Sequence, residues 1–538
     1  MQFAAVQCFL IILLGMCLIA TVANRMKLAQ PIAFLIGGIG LGSIPALQAF
    51  SVPPEYMLMI FLPPLLMEAA YFTSFRDFRA NLRPIVQLAL GLVVFTSCVV
   101  AFLMPKLIPG MGIATAFVLG AIISPPDAVA ATSIIDKSRV PKRVVSILEG
   151  ESLVNDATGL VIYQFAVAAV VLGIFSWTDA TLQFGWMVAV GILLGLVIGY
   201  IYMYLFRHIK HQPTEILSTF LLPYGSYILT ESLHASGVLA VVATGLMVGW
   251  RAPTVFSPGF RIPAASVWQM VSYTFNGFVF VMIGMQFPGI VKNLSTQYSM
   301  KILIEYSLIL WLVAVSIRMV YVYVTAYGVR FVMPRLRARD PYPAWQNVFL
   351  IGWTGMRGVV SLATALALPV TIANGQEFPY RDFIIFLSLM VILLTIVVQG
   401  LLLPWIVHKL TLSYDYTLLF EDWSARVAAT KEALKHLDKT LTVCPDIYRS
   451  AYERVRSFYV DRLAALGDGP NTPLEPSESN SGNLHPIAEA EQTLWQEVLT
   501  VERNVVINLR KAFKIGDDNM HDILREIDLL SARFGSTR

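Results

Sequence analysis

Residues 121–130 read Ala-Ile-Ile-Ser-Pro-Pro-Asp-Ala-Val-Ala, so two prolines and an acid interrupt an otherwise apolar stretch. A second apolar stretch, residues 349–360, reads Phe-Leu-Ile-Gly-Trp-Thr-Gly-Met-Arg-Gly-Val-Val and holds three glycines and an arginine. Proline has no backbone N–H to donate and breaks the interior of a helix. In lipid, every backbone group freed in this way needs another partner. Both stretches are therefore predicted to be membrane helices broken near their middle, with an ion site where they meet.

The composition is that of a polytopic membrane protein. Of the 538 residues, 56% are hydrophobic and only 14% are charged, whereas about a quarter of an average soluble domain is charged. The four cysteines, at positions 8, 17, 98 and 444, have neither metal-ligand spacing nor the pattern of a disulfide framework. No basic residue precedes the first apolar segment, so it is predicted to be a retained span and not a signal peptide.

Thirteen apolar stretches are long enough to cross a bilayer, which takes about 20 helical residues. They lie at about residues 3–22, 29–48, 53–72, 84–105, 112–135, 144–173, 183–205, 213–232, 236–250, 264–288, 301–325, 343–370 and 382–408. With the N-terminus outside, the cytoplasmic loops carry 17 Lys and Arg residues and the opposite loops carry 4, as the positive-inside rule requires. The two broken helices then run in opposite directions, which is typical of inverted-repeat transporters.

The character of the chain changes after residue 409. Residues 1–409 are predicted to form the transmembrane domain, and residues 410–538 a cytoplasmic helical tail. Within the tail, residues 467–486 are rich in Gly, Pro, Ser and Asn and are predicted to be a flexible linker. The tail sequence has no glycine-rich phosphate loop and no cluster of metal ligands. A regulatory or assembly role and a plain solvated appendage therefore both stay open.

Asp156 is the strongest candidate for an ion-binding residue. It lies well inside the sixth span and has no basic neighbour in the sequence. Burial disfavours an uncompensated carboxylate, so Asp156 is expected to bind either a proton or a desolvated monovalent cation, and the two compete. Asn155 adds a neutral amide oxygen without a second charge. The alternative is structural, in which a helix N-terminus or a salt bridge holds Asp156.

Further candidates lie at the first break and in the third span. The prolines free backbone carbonyls, such as those of Ser124 and Pro126, that can face a cation. Asp127 either ligates the cation or neutralises the N-terminus of a half-helix. Glu68 is expected either to guide the hydrated ion or to be an interfacial acid near Arg76 and Arg79.

Two charged residues, Glu151 and Arg357, are predicted to form a buried structural ion pair. Arg357 cannot lose its charge, so a carboxylate or the carbonyls at the second break must compensate it. Arg318, in the eleventh span, either lines the cavity or reaches toward the cytoplasmic side.

The sequence resembles a known family, the monovalent cation:proton antiporters that include the NhaP-type bacterial exchangers and the animal sodium/proton exchangers. The matching motifs are spread in order over residues 1–409: Leu62-Pro63-Pro64 with Glu68, Ile123-Ser124-Pro125-Pro126-Asp127, Glu149-Gly150-Glu151-Ser152-Leu153-Val154-Asn155-Asp156, Asn276-Gly277 with Ile283-Gly284, and Gly355-Met356-Arg357-Gly358. The Glu-Ser-x-x-Asn-Asp string inside a span is specific, whereas the glycine and proline elements alone are weak signals.

The resemblance implies a thirteen-helix fold in which a six-helix core bundle moves against a dimerisation domain. It also implies a homodimer that works by alternating access. By this resemblance, Asp156 matches the carboxylate that carries the ion and the proton, and Asn155 matches its neighbour. Ser152 and Glu68 match positions that contribute to or hydrate the cation site. Asp127 matches the acid at the crossing of the broken helices, and Glu151 and Arg357 match the buried pair. The Asn-Asp pair, in place of two aspartates, resembles the electroneutral branch that exchanges one cation for one proton.

The first break departs from the family pattern. Many members carry Thr-Asp-Pro there, whereas this chain has Pro126-Asp127-Ala128. A threonine hydroxyl is lost and the prolines precede the acid, but the Pro126 carbonyl survives. A Na⁺ site around Asp156 and Asp127 is therefore still expected. Na⁺, with Li⁺ as a further substrate, is favoured, and K⁺/H⁺ exchange is the alternative.

The sequence predicts a transporter and not an enzyme, with no cofactor besides the transported Na⁺ or K⁺ and H⁺, and no nucleic-acid partner. An intramembrane aspartyl protease would carry Tyr-Asp and Gly-x-Gly-Asp motifs, which do not surround Asp127 and Asp156. A cation channel would offer a carbonyl filter or a charged ring, and the sequence shows neither. The resemblance places the protein in a bacterial inner membrane, with a role in pH homeostasis.

Overall fold

The protein is built from α-helices. The computed structural model describes residues 2–26, 28–44, 54–128, 131–132, 140–172, 177–206, 209, 211–256, 258–296, 298–372, 375–410, 416–442, 448–467 and 485–534. Within these ranges the only β-bridge joins Thr371 and Glu377. The all-helical fold class predicted from the sequence is confirmed.

The membrane domain begins with α1 (Gln2–Met26), α2 (Gln30–Gly42), α3 (Pro54–Phe72), α4 (Phe75–Ala80), α5 (Leu82–Leu107), α6 (Ile113–Ile123), α7 (Lys142–Leu172) and α8 (Trp177–Phe206). It continues with α9 (Gln212–Glu231), α10 (Gly237–Val255), α11 (Pro258–Leu294), α12 (Met300–Val332), α13 (Pro334–Arg339), α14 (Trp345–Trp353), α15 (Val359–Leu366) and α16 (Arg381–Lys409). Every predicted span overlaps at least one of these helices. In the described residues, 8 helices are long and apolar enough to cross a membrane, and a total of thirteen spans stays a prediction.

Both predicted helix breaks are present. Helix α6 ends at Ile123, and the chain leaves the helix at the prolines that follow. Helix α14 ends at Trp353 and α15 begins at Val359, with a non-helical segment between them. The two breaks meet at their crossing, where the Asp127 backbone N–H donates a hydrogen bond of 2.6 Å to the carbonyl of Met356. Most of the chain that follows the first break, residues 129–130 and 133–139, lies outside the described residues.

The membrane helices pack in two groups. Helices α1, α2, α3, α8, α9, α10 and α11 pack mainly against one another and are called the first group. Helices α5, α6, α7, α12, α14, α15 and α16 form the second group. Both broken helices and α7, which carries Asp156, belong to the second group. The short helix α4 connects the two groups between α3 and α5.

The tail is a small helical bundle. Its helices are α17 (Tyr416–Leu441), α18 (Arg449–Gly467), α19 (His485–Lys511) and α20 (Asp517–Phe534). Buried residues at helical spacing, such as Leu494, Val498 and Ile527, form its core because one face of each helix is apolar. The predicted linker, residues 467–486, lies almost wholly outside the described residues.

Candidate functional site

The first break is held in place by polar groups of α7. The side-chain amide of Asn155 donates a hydrogen bond of 2.7 Å to the carbonyl of Pro126. The hydroxyl oxygen of Ser152 accepts one of 3.2 Å from the backbone N–H of Ala128. These bonds replace helix hydrogen bonds that the prolines remove, which is required inside a membrane. Asn155 and Ser152 therefore fix the position of the break relative to Asp156.

The second break is held by Arg357. Its Nε donates to the carbonyl of Ile123 at 3.0 Å, and its Nη1 donates to the carbonyl of Gly355 at 2.5 Å. Ile123 is the last residue of α6, and a positive charge at a helix C-terminus is favourable. The backbone N–H of Arg357 donates to the hydroxyl of Thr395 at 3.2 Å, in a π-helical segment of α16 (Thr395–Gln399). Arg357 thus ties both breaks together.

The predicted ion pair between Glu151 and Arg357 is corrected by the structure. Both Nη atoms of Arg318 donate to the Glu151 carboxylate, at 2.6 and 2.9 Å. Arg318 also donates to the carbonyl of Ile351 at 3.0 Å, and the side chains of Glu151 and Arg318 are only 1% and 2% exposed. The planar guanidinium matches two carboxylate oxygens in this geometry. Arg357 is instead compensated by carbonyls, the arrangement that the sequence had left open.

Asp156 is buried but opens onto a cavity. Its exposed fraction is 8%, and it lines a cavity of about 560 Å³ together with Asp127, Glu68 and Ser152. Among the described residues no basic side chain forms a salt bridge with Asp156. The described residues therefore do not show Asp156 in a salt bridge, which was one of the structural alternatives. An ion in this cavity has access to the Asp156 carboxylate.

The oxygen atoms around the break suit a monovalent cation. The amide oxygen of Asn155 is buried and has no hydrogen-bond partner among the described residues. Carboxylate, amide and backbone carbonyl oxygens are the ligands that hard cations prefer. The carbonyl of Pro126 is already engaged by Asn155, but a carbonyl oxygen has a second lone pair. The residues present therefore fit a transported Na⁺ or a similar ion.

Of two other predicted residues, Glu68 lines this cavity and Ser124 is not among its lining residues. The Ser124 hydroxyl lies 3.4 Å from that of Ser97 in α5 and donates to the carbonyl of Ala121, so its side chain faces α5. Glu68 is half-buried and lines the cavity. Arg76, its suggested basic neighbour, forms an ion pair with Glu421 of the tail at 3.6 Å.

Ser361 is a further residue of the site that the sequence did not single out. Its hydroxyl in α15 donates to the carbonyl of Pro125 at 3.3 Å, and the residue also lines the cavity. The signal available was weak, because a serine three residues after Gly358 also fits an ordinary helix surface. Ser361 supplies another partner for a carbonyl beside the first break.

Together, the fold and the site define a class: membrane transporters with an acidic site at two crossed, broken helices. A family model described as "Sodium/hydrogen exchanger, transmembrane" matches residues 10–409. The chain belongs to this sodium/hydrogen exchanger family, whose members carry out cation/proton exchange. The resemblance predicted from the motifs is confirmed.

Similar proteins span most of the chain. The uncharacterized Na⁺/H⁺ exchanger YjcE of Escherichia coli K12 is 31% identical over 521 residues, which cover 92% of each chain. A sodium, potassium, lithium and rubidium/H⁺ antiporter of Bacillus pumilus SAFR-032 is 32% identical over 417 residues, 75% of this chain and 62% of that one. The structure of the sodium proton antiporter MjNhaP1 from Methanocaldococcus jannaschii superposes with a TM-score of 0.59 at 20% identity. That match covers 76% of this chain and 99% of the other and shows the shared fold.

Gly358 is expected to tolerate no side chain. A Cβ atom there would lie 1.6 Å from Oδ2 of Asp127, so Gly358→Ala must push the two breaks apart. A misplacement of about 1 Å in a site can cost about a hundredfold in rate. We therefore expect the exchange rate in membrane vesicles to fall by about tenfold or more. Gly289→Ala in α11 is the control, since a Cβ there meets nothing within 4 Å. Equal rates in both variants would contradict the close crossing.

Proposed function

We propose that the protein exchanges a monovalent cation, with Na⁺ as the first choice, for H⁺ at Asp156 by alternating access. The observation that carries the proposal is the buried Asp156 carboxylate, which faces a cavity beside the crossed breaks. A carboxylate in such a place is stable when a cation or a proton neutralises it. Because one carboxylate serves both, binding of one ion requires release of the other.

The proposed cycle follows from this competition. The cation binds ionised Asp156 from one side, the second helix group shifts against the first, and the cation leaves on the other side. A proton then binds Asp156 for the return. Empty, ionised Asp156 does not cross, because an uncompensated charge at the centre of a membrane costs about 2.5–3.5 kcal/mol even on the mildest scale. The Asn155–Asp156 pair, which resembles that of the electroneutral branch of the family, supports an exchange of one cation for one proton.

Three nearby residues have supporting roles in the proposal. Asp127 lies against Gly358, directly before α15, where a negative charge stabilises the N-terminus of that helix and contributes to the field in the cavity. Glu68 guides the hydrated cation along the cavity, and Ser152 holds the break in register.

The choice of cation has one alternative. The family description supports Na⁺, whereas the relative from Bacillus pumilus is described as a sodium, potassium, lithium and rubidium/H⁺ antiporter. K⁺/H⁺ exchange is therefore the second candidate, at the same site and by the same cycle.

The cation is identified by an assay in everted vesicles from a bacterial strain that lacks its own antiporters. Respiration builds a pH gradient, and Na⁺, Li⁺ or K⁺ is then added to wild type and to Asp156→Ala. Wild type is expected to collapse the gradient with Na⁺ most effectively, and the variant to leave it intact. The assay is run at several pH values between about 6.5 and 9, the range in which a buried carboxylate can exchange its proton. No collapse by any cation, with the protein confirmed in the membrane, would refute the proposal.

We also propose a homodimer in a bacterial inner membrane, with the N-terminus outside and the tail in the cytoplasm. The loop charges support this orientation, and the family resemblance supports the dimer. Cross-linking of the purified protein in lipid nanodiscs is expected to yield a dimer. A monomer that retains full exchange activity would refute it.

A further inference from the structure

The first turn of α20 is anchored to the membrane domain near α4. The carboxylate of Asp517 accepts hydrogen bonds from the hydroxyl of Ser74, at 3.1 Å, and from the backbone N–H of Arg76, at 3.2 Å. The ammonium of Lys142, the first residue of α7, lies between Asp518 at 3.0 Å and Asp77 at 3.1 Å. The start of α20 is therefore bonded to the second helix group and to the connection that leads into it.

Further contacts anchor the tail to the first helix group. Arg261 of α11 donates to both carboxylate oxygens of Asp528 in α20, at 2.7 and 3.0 Å. The two side chains are 12% and 2% exposed, so this pair is shielded from water and from screening by salt. Arg510 of α19 donates to the carbonyl of Trp250 in α10 at 2.6 Å. Helix α20 thus bridges the two groups of membrane helices.

Helix α20 also lies over the cavity that contains Asp156. Asp518, Asn519 and Asp522 line the same cavity of about 560 Å³. A second cavity, of about 390 Å³, lies under the same helix and is lined by Arg261 and His521 among others. The tail therefore forms part of the wall at the end of the pathway nearest to it.

We propose that α20 is a clamp, which holds the two helix groups in one relative position and slows transport until it is released. The inference rests on the proposed alternating-access exchange, in which the groups must shift against each other. A helix with ion pairs to both groups cannot stay bonded to both during such a shift. Each cycle must break the contacts with Lys142 or those with Arg261, and this raises the barrier.

The charge state of Asp517 is consistent with a docked helix. Burial acts to raise the pKa of Asp517, but Arg510, the Arg76 N–H and the Ser74 hydroxyl outweigh it and hold this pKa below its ordinary value. The carboxylate therefore stays ionised in the interface at neutral pH, and its hydrogen bonds persist. A tail that only lay on the surface would not bury a carboxylate in contact with the membrane domain.

The test compares substitutions that weaken the clamp with one that does not. Asp528→Asn removes the charge that pairs with Arg261 of the membrane domain and with Arg503 of α19, and is expected to raise the initial exchange rate about fivefold, the lower range of allosteric coupling. Asp528→Glu keeps a carboxylate and is expected to stay near the wild-type rate. Asp438→Asn is the matched control, because it breaks an exposed aspartate–arginine pair within the tail, with Arg456 at 2.8 Å. An unchanged or lower rate in Asp528→Asn, at equal protein levels, would overturn the clamp.

A second measurement does not depend on transport. Ala265 lines the cavity under α20, so Ala265→Cys in a variant without the four native cysteines reports whether the helix is docked. A soluble maleimide is expected to label this position of the purified protein about fivefold faster when Asp528→Asn is also present. Equal labelling would overturn the clamp. Faster labelling in a protein that exchanges no cation would show that α20 docks and would instead refute the proposed exchange.

Discussion

Asp156→Asn is expected to abolish cation/proton exchange, down to the background of vesicles that lack the protein. Asparagine has nearly the same shape as aspartate, but it can neither bind a proton nor neutralise a cation. The variant is still expected to fold, because removing a buried charge without a salt-bridge partner relieves a desolvation cost. The measurement is cation-dependent collapse of a pH gradient, together with the thermal unfolding temperature of the purified protein.

The control for this prediction is Asp382, an acid at the start of the membrane helix α16. Asp382 in α16 has a side chain that is 42% exposed, so Asp382→Asn is expected to leave the exchange rate unchanged. Persistent exchange in Asp156→Asn, at an unfolding temperature equal to that of wild type, would move the ion site to another residue.

Glu151→Gln is expected to destabilise the membrane domain strongly. It leaves the guanidinium of Arg318 buried without a counter-charge, and removing one member of a buried pair costs about 3–5 kcal/mol. Arg318 cannot lose its proton. The measurement is the free energy of unfolding, or the unfolding temperature in detergent, for each variant.

A double-mutant cycle separates the observed pair from the predicted one. Glu151→Gln combined with Arg318→Met is expected to be more stable than Glu151→Gln alone, since no unpaired charge is left. Glu151→Gln combined with Arg357→Met is expected to show weaker coupling, because the Arg357 guanidinium donates to carbonyls and not to Glu151. Strong coupling of Glu151 to Arg357, with none to Arg318, would contradict the structure.

The breaks in the two helices could be predicted from the sequence because their causes are local. Pro125 and Pro126 cannot continue a helix, and Arg357 among glycines inside an apolar stretch signals a second break. Asp156 was identifiable because no sequence neighbour compensates its charge inside a span. These features belong to short segments, so one chain read in order contains them.

The partners in the site could not be predicted, because they come from distant segments. Arg318 lies 167 residues after Glu151, and Arg357 was an equally charged candidate within the membrane. Hydrogen-bonding geometry selects between them. The docking of the tail was also hidden, since Asp528 on an amphipathic helix looks like a residue of a solvated face. Only the folded structure shows that it meets Arg261.

The central claim is that Asp156 carries either the cation or the proton. The most direct test is the KM for Na⁺ of purified protein in proteoliposomes, with the pH varied only on the side to which Na⁺ is added. If a proton competes for Asp156, KM is expected to rise about tenfold for each unit of pH below the point where the carboxylate becomes protonated, since only the ionised fraction binds Na⁺. A KM that stays constant across the range, in a protein whose exchange still requires Asp156, would show that the two ions bind at separate groups.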